Sequence, residues 1–94
     1  MLIRSDAERD DAEAYRWYEE QREGLGADFL LRFEEGLGKI QSAPATYPIV
    51  YKNVRRVLIS RFPYGIFYIV ESDLIVVLAV FHERRDPSAW QSRV

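Results

Sequence analysis

Apolar residues recur at helical spacing through the first half of the chain and at alternate positions through the second. From about Asp6 to Glu23, Ala7, Ala14, Tyr15 and Tyr18 fall at intervals of three, four and seven, with acids and Arg9, Arg16 and Arg22 mostly between them. That spacing predicts an amphipathic helix with one inward stripe. Ser5-Asp6-Ala7-Glu8 fits a capping box, in which hydroxyl and carboxylate satisfy amides left free at a helix start. Gly24-Leu25-Gly26 suits a helix end, because glycine adopts left-handed dihedrals cheaply. From Ala27 to about Ser42, Phe29, Leu30, Phe33, Leu37 and Ile40 repeat the helical period, predicting a second helix antiparallel to the first. Gly36 and Gly38 inside it each cost up to ~1 kcal/mol relative to alanine, which points to close packing there.

Ala43 to Pro48 cannot continue a helix, since proline lacks the amide donor and clashes with the preceding turn. The period then changes to two. Val54–Ser60, Gly65–Glu71 and Leu74–Phe81 read as strands, with Ser72-Asp73 as the turn between the last two and Leu2-Ile3 as a short edge strand. A two-residue turn sets Glu71 opposite Leu74, Phe67 opposite Leu78 and Pro63 opposite His82, to within one residue, and brings His82 to the Arg61 end. One face then gathers Phe67, Ile69, Val76, Leu78 and Val80; the other gathers Tyr64, Ile66, Tyr68, Val70, Ile75, Val77 and Phe81. The expected fold is α+β, a helical hairpin on a three- to four-stranded antiparallel sheet in the order β-α-α-β-β-β. A hairpin covers one face only. The other needs either the C-terminal segment from His82 to Val94, anchored by Trp90, or another polypeptide, and the partner is the favoured reading.

Composition narrows the class. Ninety-four residues with 48% hydrophobic and 30% charged side chains make one domain, residues 1–94, with a real core. The longest apolar run, Leu74 to Phe81, is far shorter than the ~20 residues a membrane-spanning helix requires. The N-terminus has no apolar export signal, so the expected compartment is the cytoplasm. With no cysteine and one histidine, disulfide, thiolate-zinc and two-histidine chemistry are excluded, and nothing points to a metal or cofactor. The net charge of −2 hides an asymmetry: residues 1–38 carry eleven acids and five bases, residues 39–94 four acids and eight bases. Such a balance argues against a chain built mainly to grip nucleic acid.

Three stretches then stand out together. They are Ala12-Glu13-Ala14-Tyr15-Arg16-Trp17-Tyr18-Glu19-Glu20-Gln21 with Gly24-Leu25-Gly26 and Phe29; Arg55-Arg56 and Phe62-Pro63-Tyr64 with Tyr68; and Val80-Phe81-His82-Glu83-Arg84-Arg85-Asp86-Pro87 with Trp90 and Arg93. In this order they resemble the RelE/ParE superfamily of bacterial toxins from type II toxin–antitoxin systems, and its ParE side in particular. The chain departs at its N-terminus, where only Met1 to Arg4 stand for a fuller first strand. The resemblance implies two helices on a three- to four-stranded sheet and neutralisation by a cognate antitoxin, ParD-like and of the ribbon-helix-helix DNA-binding kind. It implies poisoning of DNA gyrase by protein binding for ParE-like members, and ribosome-dependent mRNA cleavage for RelE-like ones. The leading expectation is the gyrase inhibitor, with no direct nucleic-acid binding and no membrane partner; the alternative is the endonuclease.

The residues allow both. A metal-free ribonuclease needs an acid, a base and a neutraliser of the phosphorane. Arg61, Arg84 and Arg85 are the phosphate candidates, because a planar guanidinium pairs bidentately with phosphate oxygens. His82 is the ready proton carrier, with Glu83 or Lys52 as a further base, or else simply a strand-end residue that hydrogen-bonds the loop. A binder instead uses Tyr64, Tyr68, Arg61, Arg84, Arg85 and Trp17 as contact residues, since arginine, tyrosine and tryptophan dominate interface hot spots. Recognition is favoured over catalysis. Trp17 lies beside the first helix's stripe and either flanks the core or is exposed; Trp90 is read as a tail anchor.

Overall fold

A computed structural model describes all residues, 1–94. The chain enters on β1 (Leu2–Ile3) and turns at once into α1 (Ser5–Gln21), followed by α2 (Leu25–Ser42). Four strands follow, β2 (Ile49–Tyr51), β3 (Val54–Leu58), β4 (Tyr64–Glu71) and β5 (Leu74–His82), and the chain closes on the short α3 (Ser88–Gln91). The strand order is β1-β5-β4-β3-β2, with β1 parallel to β5 and every other pair antiparallel. The α+β hairpin-on-sheet reading holds. The sheet is mixed, not antiparallel throughout, because β1 runs parallel to β5, and five-stranded because Ile49–Tyr51, too short to show a period of two, adds an edge strand beside β3. No helix is long and apolar enough to cross a membrane.

The helix starts differ from the capping-box expectation. Arg4 donates its amide to the Val77 carbonyl of β5, so the chain leaves the strand directly into the helix and Arg4 becomes the N-cap, without a side-chain cap. Ser5 is thereby already helical. At the hairpin, Gly24 takes the left-handed φ of 89°, and the Glu19 carboxylate accepts from the amides of Gly24 and Gly26. One acid of α1 thus satisfies donors at the start of α2, and its negative charge suits that positive helix end. Gly26 has no substitute: a Cβ there would stand 2.8 Å from the Tyr15 carbonyl oxygen. Gly36 is equally tight, 2.7 Å from Ile66 Cδ1, whereas Gly38 faces open space and packs on nothing.

The inward stripes are Ala7, Asp10, Ala14 and Tyr18 on α1, and Gly26, Phe29, Phe33, Gly36 and Ile40 on α2. Tyr15 and Leu30, expected inside, are exposed. Against the stripes the sheet presents Val57, Ile59, Ile66, Tyr68, Val77 and Val80. An aromatic cluster joins the layers: Tyr18 meets Phe29, Phe62 and Tyr64 at centroid distances of 5.4, 4.8 and 6.0 Å. Each such pair adds roughly 0.5–1.5 kcal/mol beyond its burial.

The expected β4–β5 pairing is correct at the turn and slips by one farther on. Glu71 faces Leu74, but Phe67 faces Ala79 and Tyr64 faces His82, because β5 carries one extra residue opposite Phe67/Tyr68. A bulge of one residue reverses which face every later side chain occupies. Val80 therefore joins the helix-side core, and Phe81 joins Val54, Phe67, Ile69, Val76, Leu78 and Trp90 on the opposite face.

On that opposite face the C-terminal segment anchored by Trp90 closes β4 and β5, the alternative to the favoured partner reading. Trp90 of α3 stacks on Phe67 at 4.3 Å, meets Tyr51 edge-on and is 4% exposed, so the chain's own tail covers β4 and β5. The tail is pinned at a definite place. β1 stops after two residues, leaving the outer edge of β5 unpaired beyond Val77. Asp10, only 8% exposed, accepts from the Val80 amide at 3.0 Å, and Arg93 donates to the Leu78 carbonyl at 3.0 Å. Arg93 and Asp10 also pair bidentately at 2.7 and 3.1 Å. The acid inside the α1 stripe is thus satisfied by a strand edge and a C-terminal cation together, as a buried charge requires. The hydrogen bonds from Arg93 to Asp10 hold the guanidinium's pKa above its ordinary value, against a smaller opposing effect of burial.

Candidate functional site

Where α1 crosses the end of the sheet, one flank of the helix, running from buried Asp10 and Ala14 out to exposed Trp17, and the strand ends leave a cleft. The spacing of Asp10, Glu13, Ala14 and Trp17 puts them on one side of α1, and Tyr64, Val80, His82 and Arg85 face them from β4, β5 and the segment beyond. The hollow measures about 200 Å³. At Trp17, Tyr64 and His82 it adjoins a larger hollow of about 380 Å³ bounded by Tyr18 and Pro63. Trp17 is 55% exposed and meets Tyr18 edge-on at 5.0 Å, so its indole stands on the rim instead of in the core.

His82 sits at the end of β5 with its ring edge-on to Tyr64, centroids 5.2 Å apart. Its Nδ1 accepts from the Arg84 amide at 3.0 Å, which is the loop-bonding role of a strand-end histidine. A neutral imidazole accepting at Nδ1 carries its proton on Nε2. Burial pushes the Tyr64 phenol above its ordinary pKa, Arg85 pulls it back, and Asp10 and Glu13 raise it. Tyr64 therefore remains a neutral hydroxyl across physiological pH. Arg85 lies with its guanidinium 4.1 Å from the Phe81 ring centroid, a cation–π contact that holds it at the sheet end.

The structure brings Trp17, Tyr64, His82 and Arg85 together and separates the other candidates from them. Arg61 occupies the β3–β4 loop with φ of 70° and borders a different hollow with Arg22, Asp28 and Arg32. Arg84 is exposed and contributes its backbone amide, not its guanidinium, to His82. Tyr68 is corrected outright: it is fully buried on the helix side, with its hydroxyl donating to the Pro44 carbonyl at 2.6 Å, and offers no contact surface. Of the two bases considered, Glu83 is near His82, with its amide bonded to the Pro63 carbonyl. Lys52 stands in the β2–β3 turn, at the far end of β3 from His82. No group of three or more histidine, cysteine, aspartate or glutamate side chains could hold a metal ion.

The sequence reading missed Asp10, Glu13 and Arg93. The signal was present in α1: position 10 lies three after Ala7 and four before Ala14, inside the apolar stripe, where an acid calls for a partner. Nothing local could name that partner, since Arg93 is 83 residues away.

No curated protein matches the chain significantly. A family model described as the ParE toxin of the type II toxin–antitoxin system parDE matches residues 2–87, which include the hairpin, the sheet and every residue of the cleft. The chain therefore belongs to the ParE family, the toxins of type II toxin–antitoxin systems.

Proposed function

We propose that this toxin acts in the bacterial cytoplasm by binding DNA gyrase, and that a ParD-like antitoxin neutralises it. Family membership already implies a cognate antitoxin. What supports binding over ribonucleolysis is the division of the candidate residues. His82 and Arg85 share the cleft, but Arg61 borders another hollow and Arg84 turns its side chain to solvent. A phosphorane would need those guanidinia at one point. The group that does assemble, an exposed tryptophan, a neutral tyrosine and an arginine fixed on a ring, matches the composition of a protein-recognition hot spot.

The test is gyrase supercoiling of plasmid DNA in the presence of the purified chain. Inhibited supercoiling or trapped cleavage complexes are expected at micromolar toxin, weakened about tenfold or more in Trp17→Ala and Arg85→Ala. Gyrase unaffected at that concentration overturns the target. Ribosome-bound message cut by the chain and spared by His82→Ala would establish the endonuclease instead. Growth arrest on induction, relieved by coexpression of the antitoxin encoded beside it, tests the toxin–antitoxin pairing itself.

A further inference from the structure

Three arginines border one hollow beside the turn of the helical hairpin. Arg22 follows α1, Arg32 lies on α2 and Arg61 sits in the β3–β4 loop; with Leu25, Asp28 and Phe62 they line about 270 Å³. A water molecule in the liquid takes about 30 Å³, so a group several waters across has room there. The first 38 residues carry eleven acids and five bases, yet two of those bases meet Arg61 here against one acid, Asp28. The chain's ion pairs use Arg9, Arg32 and Arg93, so Arg22 and Arg61 have no carboxylate partner. Arg32 gives only Nη1 to Glu35, at 3.1 and 3.2 Å. Arg61 holds its place at a φ of 70°, a left-handed conformation that is cheap for glycine and costly for arginine. Strain kept at a long charged residue points to a use for its side chain.

We propose that this hollow binds a phosphate group, with Arg22, Arg32 and Arg61 as its donors. Guanidinia from three separate elements suit the free oxygens of a tetrahedral phosphate, whereas a planar carboxylate is filled by a single guanidinium fork. Leu25 and Phe62 add apolar walls, beside which charged hydrogen bonds gain strength. Asp28 opposes the anion and keeps its affinity modest. The phosphate of a free nucleotide and that of a nucleic-acid backbone share this chemistry. The site stands apart from the cleft of Trp17 and Arg85, is independent of the gyrase reading and is tested without gyrase.

Inorganic phosphate titrated into the isotope-labelled full chain at constant ionic strength, with chloride as control, provides the measurement by nuclear magnetic resonance. Phosphate at millimolar concentration should shift the amide resonances of Arg22, Leu25 and Phe62 saturably, and chloride should not. Arg61→Gly should weaken phosphate binding at least about tenfold without lowering the melting temperature, because glycine takes that backbone conformation freely. Asp28→Asn should tighten it about threefold by removing the opposing charge. Adenosine monophosphate and a short DNA duplex, each added against bound phosphate, separate the two sources: displacement by either supports the site and names what it takes, and displacement by neither overturns it. Equal responses to phosphate and chloride, or an unaltered affinity in Arg61→Gly or in Asp28→Asn, would each overturn the proposal.

Discussion

Against one side of the sheet lie two helices of 17 and 18 residues; against the other lies a helix of four residues carrying one tryptophan. The first side is closed by many side chains at regular spacing, so no single one holds it shut. The second is closed by Trp90 and by a tail clamped at Arg93, so its integrity rests on two residues. Broad apolar packing spreads its free energy over the whole interface, whereas a short cover held by an ion pair opens as a unit when either contact goes. The two sides should therefore fail differently.

The largest effect is expected on the hairpin side. Phe29→Ala removes a fully buried ring that packs on Tyr18, Phe62 and Tyr64. It should cost about 3–5 kcal/mol of global stability, read by urea denaturation, with the transition remaining cooperative. Asp10→Ala comes next. It strands the Val80 amide and leaves Arg93 only the longer contact to Asp6 at 3.7 Å, for about 2–4 kcal/mol, less than a fully buried pair because Arg93 keeps that contact and some solvent. Hydrogen exchange should show the Val80 amide losing protection first. Trp90→Ala should cost about 2–3 kcal/mol in tail closure and much less in the melting of the hairpin side. Limited proteolysis after residue 82 reads that split, and a uniform loss across both sides would contradict the division.

The smallest effect belongs to Asp11, which lies on α1 close to Glu34 of α2. Burial, and then the Glu34 charge, push its carboxyl up to about 6, and its Oδ1 is buried without a hydrogen-bond donor. The folded chain therefore holds this proton more tightly than the unfolded one, whose carboxyl sits near 3.8. The penalty is absent below that value, grows as pH rises towards 6 and is complete above it. Asp11→Asn should stabilise the fold by about 1 kcal/mol at pH 7, a figure reduced because the group keeps part of its solvation, and by nothing at pH 3. Equal gains at both pH values would remove ionisation as the cause.

How far the chain alone could be read follows the range of the forces involved. Phe29, Phe33 and Ile40 repeat at helical spacing, and Gly24 supplies a left-handed turn, so the hairpin was legible from neighbours along the chain. The strands β3, β4 and β5 were legible for the same reason. The face assignment of Val80 and Phe81 was not, because the bulge opposite Phe67 arises from pairing two strands and leaves no mark on either one. Trp17, Tyr64, His82 and Arg85 were candidates by residue type alone. Their meeting in one cleft, and the exclusion of Arg61 and Tyr68 from it, came from the crossing of α1 over the sheet end.

By itself the sequence determined what periodicity and local backbone preference can carry: the α+β class, the helical hairpin, three strands, a sheet apolar on both faces, and the ParE resemblance. Tertiary structure decided what depends on groups distant along the chain. It set the bulged register, the fifth strand, the cover of the second face by the chain's own tail, and the joining of Asp10 to Arg93 across 83 residues. A strand edge that loses its neighbour must find hydrogen bonds wherever the fold brings them, and no pattern along the chain encodes that meeting.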